Sequence, residues 1–163
     1  MGHSPHSLTL TLTMKKKILG CLLSAFLLNA SAADWYAPQD PFQVYGSTYY
    51  VGTGGISAVL ITSPAGHMLV DVGGPEAADQ VAAHIRQLGF KLEDIRYILN
   101  SHAHQDHAGA IAALQKLSGA TVLAGAPAIQ VLESGQPDPS DPQYPGLTPI
   151  APIASRPIRS NSA

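Results

Sequence analysis

Three histidines and one carboxylate lie within six residues of this chain, in the segment His102-Ala-His-Gln-Asp-His107. The segment directly follows an apolar, strand-like run at 96–101. In an extended segment the side chains at i and i+2 point to the same side, so His102 and His104 are placed to bind one ion. Imidazole nitrogens with a carboxylate oxygen suit zinc. The alternative is a histidine-rich surface loop, and we favour the metal site because sites are commonly built where a strand meets a helix.

Asp106 and His107 lead into a Gly- and Ala-rich segment, 108–117, which predicts a helix. A carboxylate is favoured near a helix N-terminus, so Asp106 is expected there. The side chains of Asp106 and His107 would then point together to a second metal position, close to the ion bound by His102 and His104. The segment therefore predicts four metal ligands, namely His102, His104, Asp106 and His107.

The stretch Ser101-His-Ala-His-Gln-Asp-His-Ala-Gly109 resembles the HxHxDH motif of the metallo-β-lactamase superfamily. Three further segments resemble, in order and spacing, the third subclass of secreted zinc β-lactamases: 49–52, 57–74 and 88–101. The resemblance covers about residues 35 to 147. It implies an α+β fold, with this chain as the N-terminal half of an αββα sandwich.

The resemblance also implies a reaction. Two zinc ions would lower the pKa of a water that attacks the β-lactam carbonyl. Asp106 would be a ligand of the second zinc and also the catalytic residue that orients the nucleophile and carries a proton. Asp71, which ends a strand at the same edge, would support the metal loop by hydrogen bonds without binding metal. A turn-capping role for Asp71 is the alternative from its sequence context alone.

The sequence contains no histidine after His107 and no cysteine after Cys21. In the family, each zinc site is completed by a further histidine from the C-terminal half of the fold. We therefore expect this chain to be a fragment or to have lost its reading frame, and to be inactive by itself. Two alternatives remain: another hydrolase of the superfamily, acting on thioesters or lactones, or a non-catalytic remnant.

Residues 1–32 are predicted to be a signal peptide with a spurious extension before Met14. Lys15–Lys17 forms a positive region, 18–28 is apolar, and Ala30-Ser-Ala32 offers a cleavage site. A secreted or periplasmic protein without a stable membrane anchor is expected. Loss of the three lysines leaves six basic against eleven acidic residues, a net charge of about −5, which excludes nucleic acid as a partner. The expected partner is a small β-lactam substrate.

Between these features the chain predicts one incomplete domain over 33–147, followed by a disordered tail over 148–163. Seven of the 13 prolines lie between Pro137 and Pro157, and proline removes backbone donors. His67 and His84 are expected to be ordinary surface or edge residues. The predicted strands are 42–51, 57–63, 67–72, 97–100 and 121–124, and the predicted helices are 76–88, 110–117 and 127–132.

Overall fold

The computed structural model describes residues 34–158, so the predicted signal peptide at 1–32 lies outside the described residues. Seven strands form one mixed sheet in sequence order. The strands are β1 (Phe42–Tyr45), β2 (Thr48–Tyr50), β3 (Val59–Ile61), β4 (His67–Val70), β5 (Ile95–Asn100), β6 (Thr121–Ala124) and β7 (Ser155–Pro157).

Four α-helices connect the later strands: α1 (Ala78–Gln87), α2 (Gln105–Ala108), α3 (Ile111–Ser118) and α4 (Ala126–Ser134). Short 3-10 turns occur at Pro75–Ala77, Leu92–Asp94 and Tyr144–Gly146. The predicted helices over 76–88, 110–117 and 127–132 are confirmed as α1, α3 and α4. Helix α3 ends at Gly119, whose positive φ of 72° suits a residue without a side chain.

The direction of the strands changes halfway across the sheet. Neighbours from β1 to β4 are antiparallel, and the predicted hairpin around Pro64–Gly66 is confirmed as the β3–β4 pair. From β4 to β7 the strands are parallel, because a helical crossover returns the chain before each new strand. The carboxyl ends of β4, β5 and β6 therefore lie at one edge, where open α/β sheets bind ligands.

One face of the sheet packs against the helices. Leu69, Ile98 and Val122 point to this face and are fully buried. They meet the apolar sides of α1 and α3, which contact each other. Burial of each such side chain contributes about 1.5–3 kcal/mol, so this layer is the core of the domain.

The opposite face of the same strands is apolar but much less buried. Ile61, Met68 and Tyr97 are register neighbours across β3, β4 and β5, and Tyr97 is 45% exposed. In the next row, Val70 pairs with Leu99 and both remain half-buried. A sheet with a helical layer on one face and a second apolar face is the α+β half-sandwich that the sequence predicts.

The predicted single strand over 42–51 is wrong. The chain turns at Gly46, where φ is +52°, and folds back as a β1–β2 hairpin. The left-handed backbone costs glycine little, whereas a side chain would disfavour it. The alternating pattern is shared by both strands and so conceals the turn.

The expected disordered tail over 148–163 is wrong for residues 148–158. Strand β7 pairs in parallel with β6, and Ile150 and Ile153 are buried against the core. Prolines are compatible with this course because β7 is an edge strand with one neighbour. The folded domain therefore extends beyond the predicted boundary at 147, and residues 159–163 lie outside the described part of the chain.

His84 also differs from its prediction. It is 7% exposed rather than on the surface, and its Nδ1 lies 3.0 Å from the carbonyl oxygen of Val51. A buried polar ring requires such a partner. The contact joins α1 to the segment after β2, which is 33 residues distant in sequence.

Candidate metal centre

The candidate metal centre lies at the carboxyl ends of β4 and β5. Backbone hydrogen bonds hold the two strand ends and the following loop together: Asp71 N donates to Leu99 O at 2.9 Å, and Val72 N donates to His107 O at 3.1 Å. Helix α2 begins directly after His104, with Asp106 in its first turn. Asp106 therefore lies near a helix N-terminus as predicted, but the helix is the separate short α2, and the helix predicted over 108–117 begins only at Ile111.

Close packing at Gly109 keeps α2 against the chain after β4. A Cβ atom at Gly109 would lie 2.6 Å from the Pro75 side chain and 2.9 Å from Gly74 Cα. These distances leave no space for any side chain, so glycine allows the metal loop to approach the Asp71 edge closely.

The three imidazoles of the HxHxDH segment meet at this edge. The ring centroids of His102 and His107 are 3.9 Å apart, and those of His102 and His104 are 4.6 Å apart. Asp106 Oδ2 lies 3.3 Å from His107 Nε2. All four predicted ligands thus share one small region, and their roles as ligands stay a prediction.

Asp71 connects the two strand ends through its carboxylate. Oδ1 accepts hydrogen bonds from Ser101 N at 2.8 Å and from Asn100 Nδ2 at 3.3 Å. Oδ2 accepts from Ser101 Oγ at 2.6 Å and lies 2.9 Å from His107 Nδ1. Asp71 thus contacts the metal loop without pointing its own oxygens at an open position, which is the geometry of a supporting residue.

The backbone of Asp71 is unusual. Its φ is +46°, the only positive value at a non-glycine position within residues 34–158. Aspartate tolerates this left-handed conformation better than most residues, although at some cost in energy. Local strain of this kind concentrates at functional sites, where the surrounding contacts maintain it.

The other two histidines each have a partner outside the ligand set. His102 Nδ1 lies 3.1 Å from Ser101 Oγ. His104 Nε2 lies 2.9 Å from Asp141 Oδ2, on the loop between α4 and β7. This second contact spans 37 residues of sequence.

Two side chains of this region, His102 and Asp141, have shifted pKa values. Partial desolvation lowers the pKa of His102, the neighbouring rings of His107 and His104 lower it further, and Asp71 and Asp106 oppose the shift. Hydrogen bonds from His104 and from the Gln143 backbone lower the pKa of Asp141. Metals bind neutral imidazole, so the lowered pKa of His102 favours the form of that side chain that a metal requires.

The donor set fits zinc in kind, since it combines imidazole nitrogens with a carboxylate oxygen. Within residues 34–158, no three His, Cys, Asp or Glu side chains are arranged to hold one ion together. In the predicted ligand arrangement, the pair His102 and His104 and the pair Asp106 and His107 would each supply part of a coordination shell.

Comparison with known families agrees with this arrangement. Residues 51–159 match the metallo-beta-lactamase superfamily. The chain belongs to this superfamily. The resemblance deduced from the HxHxDH segment and its flanking strands is thus confirmed.

Several solved structures of metallo-beta-lactamases are similar to most of this chain. It is 61% identical to MEM-A1, a subclass B3 metallo-beta-lactamase isolated from a soil metagenome library, with a TM-score of 0.76 over 79% of this chain and 49% of that chain. It is 53% identical to the metallo-beta-lactamase SMB-1 bound to 2-mercaptoethanesulfonate, also with a TM-score of 0.76, over 79% and 50% of the two chains. The chain spans about half the length of these relatives.

A curated protein whose name gives a different activity also matches part of this chain. The N-acyl homoserine lactonase AttM of Agrobacterium fabrum is 35% identical to this chain, over 32% of this chain and 28% of that protein. The stretch that is shared with AttM is much shorter than the one shared with MEM-A1.

A cavity of about 340 Å³ opens beside the candidate metal centre of this superfamily member. His102 and His104 form one wall, α4 contributes Val131, and the following loop contributes Asp141 and Leu147. Its size falls within the range of small-molecule sites, and its lining is largely apolar with a few polar groups. A substrate in this cavity would lie against the two histidines.

Sequence reasoning missed three residues of this region: Asn100, Ser101 and Asp141. Asn100 and Ser101 directly precede the ligand segment, so their positions alone could have indicated a role at the strand end. Asp141 had no such signal, because it lies in a proline-rich loop far from the motif.

Over the described range 34–158, no helix has the length and apolarity that a membrane span requires.

Proposed function

We propose that the protein carrying this chain is a zinc-dependent hydrolase that opens the β-lactam ring of antibiotics. The observation that carries the proposal is the grouping of three imidazoles and Asp106 at one sheet edge, beside a cavity of small-molecule size. The 61% identity to a subclass B3 metallo-beta-lactamase supports β-lactams as the substrate class.

Each residue of the group has a distinct proposed task. His102 and His104 would hold one zinc ion, and Asp106 and His107 would hold the second. Zinc, when bound, lowers the pKa of water and polarises a carbonyl oxygen. Asp106 would orient the attacking water and accept a proton from it. Its carboxylate Oδ2 lies 3.3 Å from Nε2 of His107, the other proposed ligand of the second zinc.

The surroundings of the ligands support this assignment. Asp71 holds His107 through Nδ1 and holds the loop backbone through Ser101, so the ligands are oriented before substrate binds. The apolar wall of the cavity would exclude water from the β-lactam and strengthen electrostatic interactions at its carbonyl.

Lactone hydrolysis is the second candidate. AttM is an N-acyl homoserine lactonase with 35% identity to part of this chain. A lactone, like a β-lactam, is a cyclic acyl compound that a zinc-activated water can open. The cavity volume of about 340 Å³ is typical of small-molecule sites and does not favour one ring over the other, so the choice between them requires a measurement.

The proposed activity is tested in a hybrid in which residues 34–158 replace the matching half of MEM-A1. We expect the hybrid to hydrolyse the chromogenic cephalosporin nitrocefin, to lose activity with a chelator and to regain it with zinc. His102→Ala and Asp106→Ala should each lower kcat/KM by at least about 100-fold, whereas Glu133→Gln, an exposed carboxylate of α4, should not change it.

The hybrid decides between the two candidates, and the 163-residue chain alone tests the ligand assignment. A folded, zinc-loaded hybrid that opens N-acyl homoserine lactones but not β-lactams would reject the β-lactamase proposal. The 163-residue chain by itself should bind zinc weakly and show no hydrolysis, because each ion would have two protein ligands and zinc sites normally require three or four. Zinc-dependent nitrocefin hydrolysis by that chain alone would contradict this ligand assignment.

We also propose a secreted or periplasmic location. The basis is the positive, apolar and small-residue order of segments within 15–32. Expression in a bacterial host followed by N-terminal sequencing should yield a mature chain that begins at Ala33 or Asp34. A chain that retains residues 15–32 would reject the location.

A further inference from the structure

We infer that Asp141 is a positioning residue of the metal centre, whose carboxylate accepts a hydrogen bond from Nε2–H of His104 and so fixes the tautomer and orientation of that ring. The inference rests on the proposed zinc function of the same site. It assigns a task to a residue outside the HxHxDH segment.

The contact itself determines the direction of the hydrogen bond. Asp141 Oδ2 lies 2.9 Å from His104 Nε2, a normal distance for a bond between an imidazole and a carboxylate. An ionised carboxylate has no proton to donate, so Nε2 must carry the proton. In a neutral ring the other nitrogen, Nδ1, then holds the free electron pair that a metal requires.

The other two histidines follow the same rule. His107 Nδ1 donates to Asp71 Oδ2 at 2.9 Å, which leaves Nε2 for the metal. Ser101 Oγ donates its proton to Asp71 at 2.6 Å and can therefore accept one from His102 Nδ1 at 3.1 Å. Each of the three rings thus has one nitrogen occupied by an outer partner, and for His104 that partner is Asp141.

The loop holds the Asp141 carboxylate in place. Its other oxygen, Oδ1, accepts a hydrogen bond from Gln143 N at 2.8 Å. The backbone of Asp141 is bound on both sides, since its N donates to Asp138 O at 3.0 Å and its O accepts from Tyr144 N at 2.9 Å. With Oδ1 occupied and the backbone bound, Oδ2 faces His104.

The same loop forms one wall of the cavity beside the metal centre. Asp141 and Leu147 both line the cavity, and Asp141 also contacts the ligand His104. Asp141 therefore belongs both to the cavity wall and to the surroundings of His104.

The first test measures the protonated nitrogen of His104 in the metal-free full chain by two-bond ¹H–¹⁵N NMR. We expect the proton on Nε2 in the original chain. Asp141→Ala should give a mixture of tautomers, and Asp141→Asn, which keeps an oxygen acceptor, should retain more of the original form. Glu133→Ala removes an exposed carboxylate of α4 and should leave the spectrum of His104 unchanged. An unchanged tautomer in folded Asp141→Ala would overturn the inference.

The second test measures zinc affinity by competition with a chromophoric chelator, in the full chain and in the MEM-A1 hybrid. Loss of an outer partner of a ligating histidine typically weakens metal binding by about 10- to 100-fold, so we expect a loss in that range for Asp141→Ala and no change for Glu133→Ala. Tighter binding by Asp141→Ala would show that Asp141 blocks the ligating nitrogen, and would overturn the inference. If no variant binds zinc, the proposed function fails, whereas the NMR result still decides the role of Asp141.

Discussion

His107 and His104 are each paired with a carboxylate at 2.9 Å, but two very different parts of the molecule supply the partners. Asp71 stands at the end of β4, is 14% exposed at its side chain, and contacts Asn100 and Ser101 as well. Asp141 stands on the loop before β7, is 27% exposed, and receives one further bond from a backbone N–H of its own loop.

The difference shows that equal distances do not imply equal roles. Asp71 joins the ends of two adjacent strands, so it belongs to the fold as much as to the site. Asp141 contacts the metal loop through His104, and its other polar contacts remain inside its own turn. We therefore expect loss of Asp71 to affect both folding and metal binding, and loss of Asp141 to affect metal binding with little effect on folding.

The largest effect is expected for Asp71→Ala. The change leaves Ser101 N, Ser101 Oγ and Asn100 Nδ2 without their acceptor, and hydrogen bonds to charged groups contribute about 1.5–3 kcal/mol each. Water can replace part of the lost interaction at the exposed Ser101, so we expect a loss of about 2–4 kcal/mol in the free energy of unfolding, below the sum of the three bonds, measured by urea denaturation. Asp71→Asn keeps one acceptor oxygen and tolerates the positive φ, so it should lose less. A loss below about 0.5 kcal/mol for Asp71→Ala would remove the distinction between the two carboxylates.

An intermediate effect is expected for Ser101→Ala. Its hydroxyl joins Asp71 to His102, so its removal breaks one short hydrogen bond and frees the His102 ring. We expect a loss of about 1 kcal/mol in the free energy of unfolding and a mixed tautomer at His102 in the NMR spectrum. If His102 keeps its tautomer, the link from Asp71 to that ring has no influence on the site.

The smallest effect on stability is expected for Asp141→Ala. Its side chain is 27% exposed and contacts only His104 and its own turn, and substitutions outside the core usually change the free energy of unfolding by less than about 0.5 kcal/mol. Urea denaturation should place this variant beside Glu133→Ala, although its zinc affinity differs. A loss as large as that of Asp71→Ala would mean that the loop is part of the cooperative fold.

Local sequence was sufficient to predict much of this domain. Helices α1, α3 and α4, the β3–β4 hairpin and strand β6 follow from periodicity and from glycine or proline at their boundaries. These features depend on residues a few positions apart. The β1–β2 turn at Gly46, the burial of His84 and strand β7 were missed, because each depends on packing against distant parts of the chain.

The sequence alone indicates which side chains could bind metal and at which positions along the chain they lie. The spacing of His102, His104, Asp106 and His107 sets their order along a strand end and a short helix, so their proximity follows from local geometry. The superfamily likewise follows from that spacing and its flanking strands, and the family match confirms it.

The hydrogen-bond partners of those side chains depend on tertiary contacts between distant parts of the chain. The contact between Asp141 and His104 spans 37 residues, and that between Asp71 and His107 spans 36. No local pattern encodes such pairs, since they form only when parallel strands bring their carboxyl ends to one edge and the loop before β7 closes over it. The choice of ring nitrogen at each histidine depends on these partners, and so it belongs to the fold rather than to the motif.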